Sequence, residues 1–165
     1  MNISLAKESD LVEVMYLLKV CTFDLNSKGC LYWHFVMPQV LEDLKNQKLY
    51  MLRKNEVCLG IMTLEENVSD EYKKIQWQSN GSKSLTIYRL IVHPKWNKEE
   101  SGLKDQLVKF AEEYAKQNGY QAIRIDVFGD NYNTIELFKQ MQYIKAGEIH
   151  MPYQITPFIC FEKQL

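Results

Sequence analysis

A strand, a short polar loop and a helix N-terminus in succession can hold a phosphate, and residues 85–119 read in that order. LTIYRLIVHP is β-branched and apolar and stops at Pro94. LKDQLVKFAEEYAKQNG is an amphipathic helix closed by Gly119. Between them KWNKEESG carries one glycine, Gly102, at the helix entrance. The first N–H groups of a helix have no intrahelical partner, and the helix dipole adds partial positive charge there. The segment 98–104 therefore suits a phosphorylated, nucleotide-like ligand. Its candidate contacts are Lys98, Glu99, Ser101, Gly102, Leu103 and Lys104, mostly through backbone N–H groups, with Lys104 able to add a charge. Glu99 and Glu100 oppose an anion unless they turn away.

The rest of the chain supplies elements to position this loop. Residues 2–6 alternate like a short strand. Ser9 and Asp10 offer an N-cap to a helix with Leu11, Val14, Met15, Leu18 and Cys21 at helical spacing, fading near 26–29. The aromatic run 30–37 has no clear period. Pro38 opens a second helix with Val40, Leu41 and Leu44 on one face. Strands are expected over 49–53 and 57–64, with Lys54, Asn55 and Glu56 as a hairpin turn, and one helical turn within 67–78. The central strand is expected over 84–93 and the longest helix over 102–118, with Leu103, Leu107, Phe110 and Tyr114 in a stripe. A strand over 122–128 follows. Asn131 or Asn133 then caps a helix carrying Ile135, Leu137, Phe138 and Met141, and strands over 143–150 and 155–161 close the chain. Helices and strands alternate after residue 84, so the expected class is mixed α/β with at least one parallel crossover, in a single domain over 1–165.

This order resembles the GNAT superfamily of N-acetyltransferases over nearly the whole chain. RLIVHP resembles that family's central strand, and the loop to Lys104 its pyrophosphate loop. GYQAIRIDVF resembles the strand that follows, and NYNTIELFKQMQY the second family stretch, an Asn followed by a helix. The resemblance implies a central mixed sheet of six to seven strands flanked by about four helices. It also implies acetyl-CoA as acyl donor, held in a cleft between the central strand and the strand from Ala122, with its pantetheine arm against the backbone of Leu90, Ile91 and Val92. Asn131 and Phe138 fall at positions near the cofactor. The family loop is Q/R-x-x-G-x-G/A. Phasing by the helix stripe puts Glu99, Gly102 and Lys104 at its three marked positions, whereas counting from Pro94 puts Asn97, Glu100 and Gly102 there. The helix phase lets Leu103 and Leu107 face the core. Phe138 stands where family members often carry a tyrosine general acid, and Gln142 where a glycine usually precedes the final aromatic.

The implied chemistry is attack of a primary amine on a thioester, so a proton must leave the amine and another must reach the thiolate. Thr86 and Tyr88 share one face of the central strand, and Arg89 takes the other. Neither hydroxyl is a good base at neutral pH. Glu65 and Glu66 close the preceding strand and are the nearest acids by topology. Tyr88 and Glu65 are thus the catalytic candidates, with a solvated strand end as the plain alternative for Glu65. His93 is a possible proton shuttle or a strand-terminal structural residue. Tyr32, Trp33 and His34 lie where the family builds its acceptor pocket.

Composition narrows the remaining classes. The 165 residues are 46% apolar, and 20 basic residues against 21 acidic give a net charge of −1. A nucleic-acid protein usually carries a clear basic excess, so no nucleic-acid partner is expected. None of Cys21, Cys30, Cys58 and Cys160 forms a C-x-x-C pair or a zinc-spaced cluster, so no metal is expected, and Cys58 and Cys160 read as buried thiols. No signal peptide or membrane-length apolar run is present, which points to a cytoplasmic protein. The apolar end ITPFICFEKQL could join a homodimer interface. The expected function is direct acetyl transfer from acetyl-CoA to an amine of a small molecule, peptide or protein. The alternative is a weak or inactive CoA-binding, sensor or dimerisation module.

Overall fold

The computed structural model describes residues 1–29, 37–99, 102–152 and 154–165. Runs rich in Leu, Ile, Val and Tyr form seven strands: β1 (Asn2–Leu5), β2 (Leu49–Lys54), β3 (Val57–Glu65), β4 (Ser84–Val92), β5 (Ala122–Phe128), β6 (Ile144–Ile149) and β7 (Phe158–Gln164). They make one mixed sheet in the order β1-β2-β3-β4-β5-β7-β6. Among the described residues there are six α-helices: α1 (Leu11–Ser27), α2 (Met37–Lys45), α3 (Asp70–Lys73), α4 (Pro94–Glu99), α5 (Leu103–Gln117) and α6 (Tyr132–Gln140). The sequence leads one to expect about four, and the surplus is α3 and α4, each under two turns long. None of the described helices is long and apolar enough to cross a membrane.

By its contacts the chain divides into two compact units, Met1–Leu64 with Arg89–Phe110, and Glu65–Tyr88 with Ala111–Leu165. In the first, β1, β2 and β3 form an antiparallel meander with Ile3 opposite Leu52 and Met51 opposite Ile61. The β2–β3 hairpin turns on Asn55 and Glu56, both at positive φ (48° and 64°), the backbone of a two-residue turn matched to strand twist. Helix α1 buries Val14, Leu17, Leu18 and Cys21, and α2 buries Val40 and Leu44, in a core with Leu49, Met51, Ile61 and Ile91. Each such side chain contributes about 1.5–3 kcal/mol of burial free energy. Gly60 lets the end of β4 pass closely. A Cβ there would lie 2.8 Å from the Ile91 carbonyl oxygen and 2.9 Å from Val92 Cγ1.

In the second unit, β4 and β5 pair in parallel from Ser84↔Ala122 to Ile87↔Ile125. Strand β5 continues to Phe128 against antiparallel β7, and β6 covers the far side of β7. Phe138 of α6 is fully buried, edge-on to Tyr143 at 4.9 Å and stacked with Phe161 at 6.1 Å.

Two boundaries differ from those expected from sequence. The polar loop after the central strand is mostly α4. Pro94 takes its first helical position, where a missing N–H costs nothing. His93 leaves the strand to cap it: the Lys95 N–H donates to His93 Nδ1 at 3.3 Å, and the Asn97 N–H to the His93 carbonyl at 2.9 Å. The last strand starts at Phe158 rather than 155 and runs through the polar end to Gln164. Glu162 is held there by the buried Arg124 on β5, Nε to Oε1 3.0 Å, a partner that local pattern does not reveal.

Candidate functional site

The apolar run of β4 does not keep its alternation. Arg89 stands at φ 53°, a left-handed conformation uncommon in a non-glycine residue. Tyr88, Arg89 and Leu90 are consecutively half-buried before Ile91 and Val92 return to the core. A left-handed residue turns the strand, so the peptide groups after it point in new directions. Leu90, Ile91 and Val92, the residues expected to meet a ligand by backbone, are those after the turn. The Val92 carbonyl accepts the Cys21 thiol of α1 at 3.4 Å, and the His93 N–H donates to the Leu59 carbonyl of β3 at 2.8 Å.

Past α4, Gly102 (φ 84°) opens α5, its carbonyl accepting the Gln106 N–H at 3.0 Å. Leu103 and Leu107 are fully buried, in keeping with the helix phase. Lys104 is the second residue of α5. Burial, followed by the like charge of Lys28 just past the end of α1, lowers its ammonium from the usual 10.5 to about 8, partly offset by Cys21 and Asp24. The positive end of the helix adds a further cost to a cation in the first turn. The helix N-terminus and the ammonium in its first turn both favour an anion, so the residues present fit a phosphate. The backbones of Lys98 and Glu99 lie in α4. Ser101, Glu100, Tyr32, Trp33 and His34 lie outside the described residues.

His93 also stacks on Tyr16 of α1, centroids 6.1 Å apart. Burial and then Lys95 lower its pKa from 6.5, and its Nδ1 accepts a hydrogen bond, so the ring is neutral with its proton on Nε2. As pH falls from about 6.5, the unfolded chain takes a proton that the folded one refuses. Stability should therefore decline through the window just below pH 6.5 and level off once the folded ring also protonates. His93→Asn keeps a capping oxygen and removes the titration. Thermal melts of the two proteins at pH 7.5 and 5.5 should show a steeper loss for the parent, and equal slopes would refute this role.

A buried ionic cluster faces the turn in β4. Arg89 Nε donates to Asp43 Oδ2 of α2 at 2.5 Å, and a terminal guanidinium nitrogen bonds to the same oxygen. The hydroxyl of Thr63 on β3 donates to Asp43 Oδ2 at 2.7 Å and lies 3.4 Å from Arg89 Nε. Thr63 and Asp43 are both buried. Sequence reasoning missed this set, because 20 and 26 residues separate its members and none sits in a motif.

The other candidates belong to the second unit. Glu65 ends β3, its Oε1 accepting the N–H groups of Glu66 (2.9 Å) and Asn67 (3.0 Å). Glu66 accepts the Tyr120 hydroxyl, which with Lys83 lowers its pKa. The Tyr88 ring packs on Tyr72 of α3 at 5.3 Å, and the buried Tyr72 hydroxyl donates to Asp126 on β5. Burial, then the Asp126 charge, push that hydroxyl far above its usual pKa, so it stays a donor. Asn131, rather than Asn133, takes the cap position of α6. Its carbonyl accepts the N–H groups of Thr134 and Ile135, both at 3.0 Å, while its side chain makes no capping bond. Phe138 lies in the aromatic core.

A family model described as the acetyltransferase (GNAT) family matches residues 13–143. No curated protein sequence matches the chain. Solved structures share its fold. An acetyltransferase of the GNAT family from Streptococcus agalactiae 2603 is 13% identical with a TM-score of 0.80, over 99% of this chain and 95% of that one. One from Listeria monocytogenes 4b F2365 is 15% identical with a TM-score of 0.76, over 99% and 94%. The ribosomal-protein-S18-alanine N-acetyltransferase from Escherichia coli is 13% identical with a TM-score of 0.65, over 99% and 92%. At these identities the structures speak for the fold alone.

Proposed function

The chain is a member of the acetyltransferase (GNAT) family, and on that premise we propose that it transfers an acetyl group from acetyl-CoA directly to a primary amine. The observation that carries this reading is the desolvated Lys104 at the N-terminus of α5, following a β4 that turns at Arg89. Gly102, Leu103 and Lys104 offer N–H groups and a cation to the pyrophosphate, and Leu90, Ile91 and Val92 offer strand backbone to the pantetheine amides. Acetyl-CoA supplies an activated thioester. The amine nitrogen bonds to its carbonyl carbon, the carbon–sulfur bond breaks, and the products are an acetamide and the CoA thiol. Two protons move: one leaves the amine, and one reaches the thiolate. In this reading Glu65 takes the first and Tyr88 gives the second.

One observation favours a non-catalytic CoA-binding module. Phe138 has no proton to give and is fully buried against the rings of Tyr143 and Phe161. Loss of a general acid costs about 10²–10⁴-fold in rate, which a good leaving group and a second donor such as Tyr88 offset in part. The test is release of CoA thiol from acetyl-CoA with a panel of amines: a polyamine, polylysine, and a peptide with N-terminal alanine, after the acceptor named for the E. coli structure. Thiol released in step with an acetylated amine is the expected result. Acetyl-CoA binding with no release on any amine would favour the sensor, and no binding at millimolar acetyl-CoA would overturn both readings.

A further inference from the structure

A left-handed turn at a non-glycine residue inside a strand costs free energy that the surroundings must supply. At Arg89 (φ 53°) the surroundings are specific. Its side chain is 17% exposed and is held on one oxygen of Asp43, whose own side chain is 10% exposed. Thr63, fully buried on the adjacent strand, fixes that oxygen from a second direction. A buried ion pair is in general weak support for stability, since well-packed apolar residues often replace it without loss. What distinguishes this one is its place: the cation stands on the residue with strained backbone, and its partners come from α2 and β3.

We propose that Asp43 and Thr63 are positioning residues which, through the guanidinium of Arg89, hold the turn in β4 and so aim the peptide groups of Leu90, Ile91 and Val92 at the pantetheine arm. The last step rests on the acetyl-transfer reading, whereas the clamp on the backbone does not. The alternative is an ion pair that only fills the core. In that case, removing both charges while keeping the packing would leave backbone and binding unchanged.

The experiment separates the two. The double variant D43N/R89M removes both charges and keeps an oxygen for Thr63, so no buried charge is left unpaired. In ligand-free protein, the amides of Leu90, Ile91 and Val92 should exchange hydrogen about tenfold faster than in the parent, and acetyl-CoA affinity should fall about tenfold, the scale of one released backbone strain. D43N/R89G also lacks the pair, but glycine accepts positive φ without strain, so it should bind acetyl-CoA more tightly than D43N/R89M. Parent-like exchange and binding in D43N/R89M, or no advantage of glycine over methionine at position 89, would overturn the clamp. Should the double variants not fold, T63V tests the same point. It keeps the ion pair and loosens Asp43, and unchanged exchange at residues 90–92 would count against the proposal. A parent protein that fails to bind acetyl-CoA would remove the acetyl-transfer reading, while the ligand-free exchange rates would still decide the clamp.

Discussion

Replacing Lys104 with Met is expected to make the ligand-free protein more stable and its binding of acetyl-CoA weaker. The two effects have one cause. The folded-state value of about 8, against the usual 10.5, means that the unfolded chain holds a proton between those pH values that the folded chain lacks. Parent stability should therefore rise with pH from about 8 to 10.5, and below pH 8 the full cost of the half-buried ammonium is present. At about 1.36 kcal/mol per pH unit, and discounted for residual solvent contact, that cost is on the order of 1–3 kcal/mol. K104M should melt several degrees higher at pH 7 and lose the advantage above pH 10.5. Binding should move the other way. A charge-assisted contact to phosphate contributes about 1.5–3 kcal/mol, so affinity should fall about 10- to 100-fold. Parent affinity should also weaken as pH rises past 8, because bound phosphate needs the ammonium charged, and K104M should lack that dependence. Thermal melts and calorimetric titrations across pH check both halves. A variant that loses stability at pH 7, or that binds as the parent does, would contradict this assignment.

The second large effect is expected at Glu162, where stability rather than ligand is at stake. Its carboxylate, 3% exposed, accepts the N–H groups of Gln78 (2.7 Å) and Ser79 (3.2 Å), the Ser79 hydroxyl and Arg124 Nε (3.0 Å). Arg124 also donates to the Ser79 hydroxyl at 3.0 Å, and its guanidinium lies 4.4 Å from the Trp77 ring centroid. Trp77 in turn donates its indole N–H to the Tyr72 carbonyl at 2.9 Å. One carboxylate thus fastens the irregular stretch before β4 to β7 and β5. Glu162→Ala leaves Arg124 buried and unpaired, which costs about 3–5 kcal/mol, a large part of a domain's usual 5–15 kcal/mol. Urea unfolding should show the loss, and hydrogen exchange should show the Trp77, Gln78 and Ser79 amides released first. A loss under about 1 kcal/mol would mean that Arg124 finds water or another anion.

What the sequence discloses and what it hides follow from the range of the interactions. Periodicity places the strands and the long helices, because a core face repeats every two or about 3.6 residues. The helix stripe through Leu103 and Leu107 also phases Gly102 as the start of α5, and the structure puts it there. The loop composition of KWNKEESG misleads, since polar residues on an exposed helix look like a loop, and only Pro94 behind a capping His93 marks the start of α4. Arg89 looks like one more alternating strand residue. Its left-handed backbone depends on Asp43, 46 residues earlier. Likewise the expected last strand stops at 161, and Glu162 is drawn into it by Arg124, 38 residues earlier. Proton chemistry is the least legible part: only topology points to Glu65 and Tyr88, whereas the Tyr72–Asp126 hydrogen bond joins residues 54 apart.

Titration of the isotopically labelled protein with acetyl-CoA, followed by amide chemical shifts, tests the central claim most directly. If the chain holds acetyl-CoA by the end of β4 and the start of α5, the amides of Leu90, Ile91, Val92, Leu103 and Lys104 should shift together and saturate with one ligand per chain below millimolar concentration. No saturable shift at millimolar acetyl-CoA, or shifts that leave these five amides unmoved, would contradict it.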